Sequence, residues 1–330
     1  MHHPVSIRRR AFTAAAALVV SAVAGRTARA QVRSDDGAVA VAVSGRNAMS
    51  CLPLTLAAKL GFFKAESLDV SLIDCADEAT ALRLLATGGA EVASCAFEHT
   101  IRLQARGQGI QAFVMQSRVP QASVGVSTRT LAEFRHPSDL RGRRIGVSAI
   151  DSVSQTLVTT LLGRAGLGVA EVSLVSVGVG VDALNALRTG QIDVISTLEP
   201  VMTMLEQRGD VKILADTRTL TGTQVQLGGP MPGGALCAPI DYVQKHPDVC
   251  QALASGIVRA LKWLRTAGPG DIIRILPESY LLGDRGLYLM SLARVIESFS
   301  FDGLIPPEGP RAALRVLAET DPSIREDRVN

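Results

Sequence analysis

Five short polar stretches hold the residues of this chain that are suited to holding a charged small molecule. "SGRNAMS" (Ser44–Ser50) offers Arg46, Asn47, Met49 and Ser50. "SCAFEHT" (Ser94–Thr100) offers Ser94, Phe97, Glu98 and His99, and "SAIDSVSQ" (Ser148–Gln155) offers Ser148, Ser152, Ser154 and Gln155. "VGVGVD" contributes Gly178, and "STLEP" contributes Thr197 and Glu199. An arginine gives charge-assisted hydrogen bonds to a sulfonate or carboxylate. Ser152 and Ser154 stand where a helix begins, and unsatisfied N–H groups and the positive dipole end there favour an anion. Glu98, His99 and Glu199 suit a cationic or donor group, which leaves a zwitterion open. Each residue also has a plainer reading: Ser152 and Glu199 as helix caps, Arg46 as solvated, His99 as structural.

Catalytic patterns are missing. The sequence has no HExxH, no GxSxG, no P-loop and no Cys/His metal spacing. One lookalike is "GVGVDA" (Gly178–Ala183), which follows a strand and opens a helix as dinucleotide sites do. The acid expected about 20 residues on does not fit, because Asp193 comes too soon. The expectation is therefore a binding protein with no catalytic residue, metal or cofactor. The alternative is an exported nicotinamide-dependent oxidoreductase.

The stretches follow apolar runs of strand length, and helical patterns separate them. Strands are expected at 40–44, 68–73, 91–96, 111–116, 122–128, 171–177, 193–197, 211–216 and 233–239, with one more after a turn within 139–148, ending at Ser148. Strands alternating with helices of this size predict parallel sheets, and ligands sit beyond the carboxyl ends of such strands. The plan occurs twice. "ALRLLATGGAEVASC" (Ala81–Cys95) aligns without a gap on "ALNALRTGQIDVIST" (Ala183–Thr197), and "VSLI" at Val70 aligns on "VSLV" at Val172 with the same offset. The duplication, with crossings near Pro120 and Gly233, predicts two lobes: residues 37–120 plus 235–330, and 121–234.

Composition agrees with a large packed core, at 47% hydrophobic and 20% charged residues. Aromatic residues are only 4%, which argues against a surface that stacks sugars or bases. Residues 1–30 read as a signal peptide: Arg8–Arg10, the apolar run from Ala11, then "ARA" before Gln31. The paired arginines before Phe12 fit twin-arginine export, with the general secretory route as the alternative. Cleavage after Ala30 removes five arginines and no acid, so the formal charge falls from +3 to about −2. The mature chain is then expected in the periplasm, with no stable membrane span and no nucleic-acid partner. Five cysteines, Cys51, Cys75, Cys95, Cys237 and Cys250, lie in the mature part. An oxidising compartment permits disulfides. Several buried free thiols are the plainer reading; Cys51, Cys75 and Cys95 follow or end neighbouring strands, so any disulfide is expected to involve that trio, with Cys237–Cys250 as the less favoured second pair.

Four stretches in order resemble the type II periplasmic substrate-binding proteins of ABC transporters. The resemblance is to the sulfonate/nitrate/taurine-binding group and its relatives named after thiamine-pyrimidine synthesis. The stretches are "LPLTLAAKLGFFKAESLDVSLID", "DLRGRRIGVSAIDSVSQ", "ALRTGQIDVIST" and the closing "LEP". The resemblance implies a two-lobed α/β fold with the ligand cleft between the lobes. It also implies a monomeric, non-enzymatic role: a small organic anion is captured and delivered to a permease, or presented to a sensor. The iron-binding cysteine run of the thiamine-pyrimidine synthases is not in this sequence.

Overall fold

A computed structural model describes residues 38–326 and Val329. The expected signal peptide and its cleavage site lie outside the described residues. The chain forms ten strands: β1 (Val39–Ser44), β2 (Val70–Cys75), β3 (Val92–Ala96), β4 (Ile110–Met115), β5 (Ala122–Ser127), β6 (Arg144–Val147), β7 (Ser173–Ser176), β8 (Val194–Leu198), β9 (Val211–Asp216) and β10 (Gly234–Pro239). They build two five-stranded sheets, ordered β2-β1-β3-β10-β4 and β7-β6-β8-β5-β9, and helices flank both.

The sheets are mixed where the sequence suggested mostly parallel pairing. β1 pairs in parallel with β2 and β3, as β6 does with β7 and β8. β10 is antiparallel to β3 and β4, and β5 is antiparallel to β8 and β9. The connectivity gives the reason. β4 and β9 end where the two sheets face each other. The chain then crosses over, so β5 and β10 enter their sheets from that same end and must run backwards.

The repeated segment does the same work in each sheet. In the first, the helix Glu78–Thr87 stops at Gly88 with φ +73°, a left-handed conformation that glycine adopts without a Cβ penalty. Gly190 repeats this with φ +76°. The acid that follows ties down the start of a neighbouring strand: Glu91 Oε2 accepts from the Ala40 amide at 2.8 Å, and Asp193 Oδ2 from the Arg144 amide at 3.1 Å.

The inner strands β1, β3, β5, β8 and β10 are almost entirely buried because helices cover both faces, whereas the edge strands β2 and β7 are only half-buried. Val41, Ala42, Val43, Val92, Ala93 and Leu236 are fully buried in the first sheet, as are Ile145, Val147, Val194 and Ile195 in the second. The helix Pro247–Thr266 packs on Leu52–Lys59 beside the first sheet. The last two helices reach further. Arg285–Val295 packs on Val201–Gln207, and Gly309–Thr320 on Val153–Arg164, both beside the second sheet. Among the described residues no helix is long and apolar enough to cross a membrane.

Candidate interlobe binding site

A cavity of about 90 Å³ lies where the strand ends of the two sheets meet. Ser44, Ser50, Asp77, Glu78, Ser94 and Gln116 line it from the first sheet, and Ser148, Ala149, Val153, Gly178 and Val179 from the second. Gly233 and Gly234, on the crossing into β10, complete the wall. Of the residues named from sequence, Ser50, Ser94, Ser148 and Gly178 line this cleft.

Ser148 sits in a closed set of hydroxyls. Ser148 Oγ donates to Ser152 Oγ at 3.1 Å, and Ser152 Oγ to the Ala149 carbonyl at 2.6 Å. Ser154 Oγ lies 2.8 Å from Ser148 Oγ and accepts from the Ser148 amide, also at 2.8 Å. Ser152 also caps the helix Val153–Arg164, accepting from the Gln155 amide. Ser152 and Ser154 therefore stand behind Ser148 and fix its position. Among the described residues the amides of Ala149 and Val179, both in the cleft wall, donate to no protein acceptor. On the opposite wall Gln116 spans Leu54 and Ser94: its Oε1 accepts from the Leu54 amide at 3.2 Å, and its Nε2 donates to Ser94 Oγ at 2.9 Å.

The cationic residue expected in the site lies elsewhere. Arg46 makes a two-pronged ion pair with Asp74, and with Asn47 it lines a separate open groove beside Lys59 and Tyr280. The reason is register: β2 lies beside β1 and ends with Asp74 and Cys75, which presents a carboxylate to the loop that leaves β1. Among the described residues no lysine or arginine lines the interlobe cavity.

Other expected site residues are structural. Met49 is buried, and its amide donates to the Glu199 carbonyl at 3.0 Å. Phe97 is buried, and its amide donates to the Gly233 carbonyl at 2.8 Å. Gln155 Oε1 accepts from the Asp151 amide at 3.1 Å and faces a recess beside Arg102 and Asp321. Thr197 is fully buried in β8. Glu98 is buried, with Arg102 Nε 3.5 Å from its Oε1; Arg102 also donates to Thr156 Oγ1 at 3.0 Å and to Asp321 at 2.6 Å. That network joins the helix Glu98–Ala105 to Val153–Arg164. Glu199 accepts from Arg218 Nη1 at 2.6 Å, from the Thr203 amide at 3.0 Å and from Thr203 Oγ1 at 2.8 Å, so it caps the helix Val201–Gln207 and balances a buried arginine.

Asp77 and Glu78 were missed from sequence because an acid before a helix and another in its first turn look like an ordinary N-terminal cap. Asp77 is that cap, accepting from the Thr80 amide at 2.7 Å. Glu78 turns inward instead, accepting from the Ala96 amide at 2.9 Å and lying 3.1 Å from His99 Nε2. Burial disfavours the charged imidazole of His99, but the Glu78 carboxylate outweighs it and holds the pKa above its ordinary value. Burial likewise opposes ionisation of Glu78, and His99 outweighs it, so the carboxyl titrates below its ordinary value.

A pH dependence follows. A raised His99 stabilises fully below its unfolded value near 6.5 and loses that contribution as pH climbs through the folded value. A depressed Glu78 stabilises fully above about 4.5 and loses its contribution as pH falls through the folded value. The pair is therefore at full strength between those limits. The thermal midpoint is expected to fall from pH 6.5 to pH 8 more steeply in the wild type than in His99→Gln. Parallel curves would show that His99 is not charged in the folded state.

All five cysteines are free thiols. Cys51 Sγ donates to the Ser44 carbonyl at 3.6 Å and Cys75 Sγ to the Ile73 carbonyl at 3.6 Å, so these two sulfurs are engaged with backbone. Burial pushes the Cys51 thiol up to about 11. The thiol beside Cys95 is Cys237, which comes from the strand that the expected order 2-1-3 did not include.

Two mixed sheets that meet at their strand ends and are joined by crossing connections form the periplasmic binding protein fold. A protein of solved structure from Bordetella bronchiseptica RB50 is 45% identical, with a TM-score of 0.86 over 88% of this chain and 92% of its own. The alkanesulfonate-binding protein SsuA from Xanthomonas axonopodis pv. citri, solved bound to MOPS, is 17% identical, with a TM-score of 0.67 over 88% of this chain and 95% of its own. The periplasmic aliphatic sulphonate binding protein SsuA from Escherichia coli is 16% identical, with a TM-score of 0.68 over 88% and 97%. No match was found among curated proteins. The NMT1/THI5-like family profile matches residues 49–267, and the chain belongs to that family.

Proposed function

We propose that the mature protein is the exported, periplasmic solute-binding component of an ABC importer. It captures a small organic anion in the interlobe cleft, hands it to a permease and does no chemistry on it. The lobes are residues 37–120 plus 235–330, and 121–234, with the last two helices spanning both. The observation that carries the reading is the cleft wall itself. Ala149, Val179 and Val153, the first residue of the helix Val153–Arg164, line a small cavity that has no lysine or arginine among the described residues, and the amides of Ala149 and Val179 have no protein acceptor there. Helix N-termini attract anions by their N–H groups and dipole without a cationic side chain. The names of the solved sulfonate-binding relatives agree with an anion.

The test is a thermal-shift screen of sulfonates, aromatic acids, nitrate and pyrimidines. A ligand at a hundredfold its Kd stabilises the folded protein by about 2.7 kcal/mol. A cation as best ligand would sink the anion reading and leave the binding-protein reading standing. Turnover of a substrate with bound nicotinamide would sink both.

The position of Arg46 reverses an expectation drawn from sequence. A direct charge-assisted bond would make Arg46→Ala cost about 1.5–3 kcal/mol of affinity. Because Arg46 instead pairs with Asp74 in the outer groove, Arg46→Ala is expected to change Kd by less than about threefold, well under 1.4 kcal/mol. Isothermal titration of the variant with the ligand from the screen decides it. A tenfold loss would bring Arg46 back into the site.

A further inference from the structure

On the reading of the cleft as an anion site, we infer that Asp77 and Glu78 make it select ligands with a single negative charge over dianions of the same shape. The cavity between the sheets has two unlike walls. On the second-sheet side Ala149 and Val179 line it, and their amides have no protein acceptor among the described residues. On the first-sheet side Ser94, buried at 2% exposure, accepts at Oγ from Gln116 Nε2 and so keeps its own hydroxyl proton to give. These donors are all neutral. The carboxylates in the lining are Asp77 and Glu78, and both belong to the first-sheet wall.

Both carboxyl groups keep their charge. Asp77 caps the helix Glu78–Thr87, and the Thr80 hydroxyl and amide hold it below the ordinary carboxylate value. Glu78 holds its charge against His99, which stands behind it, so the pair turns its negative end to the cavity. Neighbouring cations are engaged elsewhere: His99 with Glu78, and Arg46 with Asp74. Taking an ion out of water costs free energy in proportion to the square of its charge, whereas its attraction to neutral N–H and O–H dipoles grows only in proportion to the charge. A second charge on the ligand therefore raises the desolvation cost about fourfold but only about doubles what the neutral donors give. It also doubles the repulsion from the acidic wall.

Isothermal titration of the mature chain with methanesulfonate and with sulfate tests this. Both are tetrahedral, and they differ by one charge. Melting is unsuitable, because sulfate stabilises proteins that do not bind it. Like charges set against each other are costly, so the wild type is expected to bind methanesulfonate at least about tenfold tighter than sulfate, a readout that needs no variant to fold. Asp77→Asn removes a charge and keeps the cap, since asparagine caps helices as well as aspartate does. Coulomb energy is proportional to the ligand's charge, so a gain of about threefold for methanesulfonate in this variant becomes about tenfold for sulfate. Glu78→Gln should move the ratio the same way by less, because His99 gives up its proton once the carboxylate is gone. Equal binding of the two ions by the wild type, or an unchanged ratio in Asp77→Asn, would overturn the inference and leave the anion reading standing. Binding of neither ion would overturn it too, and the wider screen would then decide the anion reading by itself.

Discussion

Arg218→Met is expected to lower stability by about 3–5 kcal/mol, the cost of stranding a buried charge by deleting its partner. Arg218 is 4% exposed and stands among three carboxylates. Its Nη1 reaches Glu199 Oε1 at 2.6 Å and Glu206 Oε2 at 3.4 Å, and its Nη2 reaches Asp216 Oδ2 at 2.6 Å. Burial opposes the guanidinium charge, but Asp216 and Glu199 outweigh it and hold the pKa above its ordinary value. Methionine fills much of the volume but brings no charge. Glu199, at 1% exposure, would then keep its bonds to Thr203 and lose the cation that Arg218 supplies. For a chain of this size the loss corresponds to roughly 10 °C in Tm. The second variant tests the cause. Glu199→Gln in the Arg218→Met background should restore part of the loss, because the stranded charge is gone and coupled residues do not add. Urea unfolding of both variants reads it. A wild-type midpoint for Arg218→Met would mean the network contributes nothing.

How far this network could be read from sequence shows what pattern carries and what it omits. The ten strands fall within about two residues of their expected places, because apolar runs between glycines and polar turns define them whatever packs outside. The duplication was visible because each copy must stop a helix with glycine and tie a strand with an acid. Strand direction was not visible. A hydrophobic run reads the same in a parallel as in an antiparallel neighbour, and only the crossing path sets the sense of β5 and β10.

The site was legible in its loops and less so in its side chains. Ser50, Ser94, Ser148 and Gly178, picked from strand-end loops, line one cleft. The loops did not say which way Arg46 turns, since that depends on Asp74, 28 residues away on a neighbouring strand. Glu98 and Glu199 drew attention as charges near strand ends, yet each has a buried arginine beside it, 4 and 19 residues further along. Glu78 shows the converse. Its spacing is that of a first-turn acid, and only the fold shows it beneath the cleft against His99. Cys95 and Cys237 are 142 positions apart and became neighbours only through the antiparallel entry of β10.

That entry passes through one glycine, and Gly233→Ala is expected to disable both stability and ligand response. A Cβ built at Gly233 would lie 2.0 Å from the Val119 carbonyl oxygen, 2.3 Å from Ser117 Oγ and 2.7 Å from the Val119 carbonyl carbon. Two of those atoms are backbone, so no side-chain rotation relieves the clash. The segments in contact are the outward and return crossings, held by Gly233 N to Ser117 O at 3.1 Å and Ser117 N to Gly234 O at 3.2 Å. The Gly233 carbonyl also accepts from Phe97, so moving it away from Val119 disturbs the start of the helix Glu98–Ala105. Overpacking of a close-packed site costs about 1–3 kcal/mol, and a main-chain clash belongs at the upper end. Because Gly233 and Gly234 also form part of the cleft wall, a displaced crossing should cut the ligand-induced thermal shift as well as the apo midpoint. Gly163→Ala is the matched control. Gly163 lies inside the helix Val153–Arg164 with no atom within 4 Å of an added Cβ, and alanine there should stabilise by up to about 1 kcal/mol. If the two variants melt alike and respond alike to ligand, the crossing is not the tight junction that its distances describe.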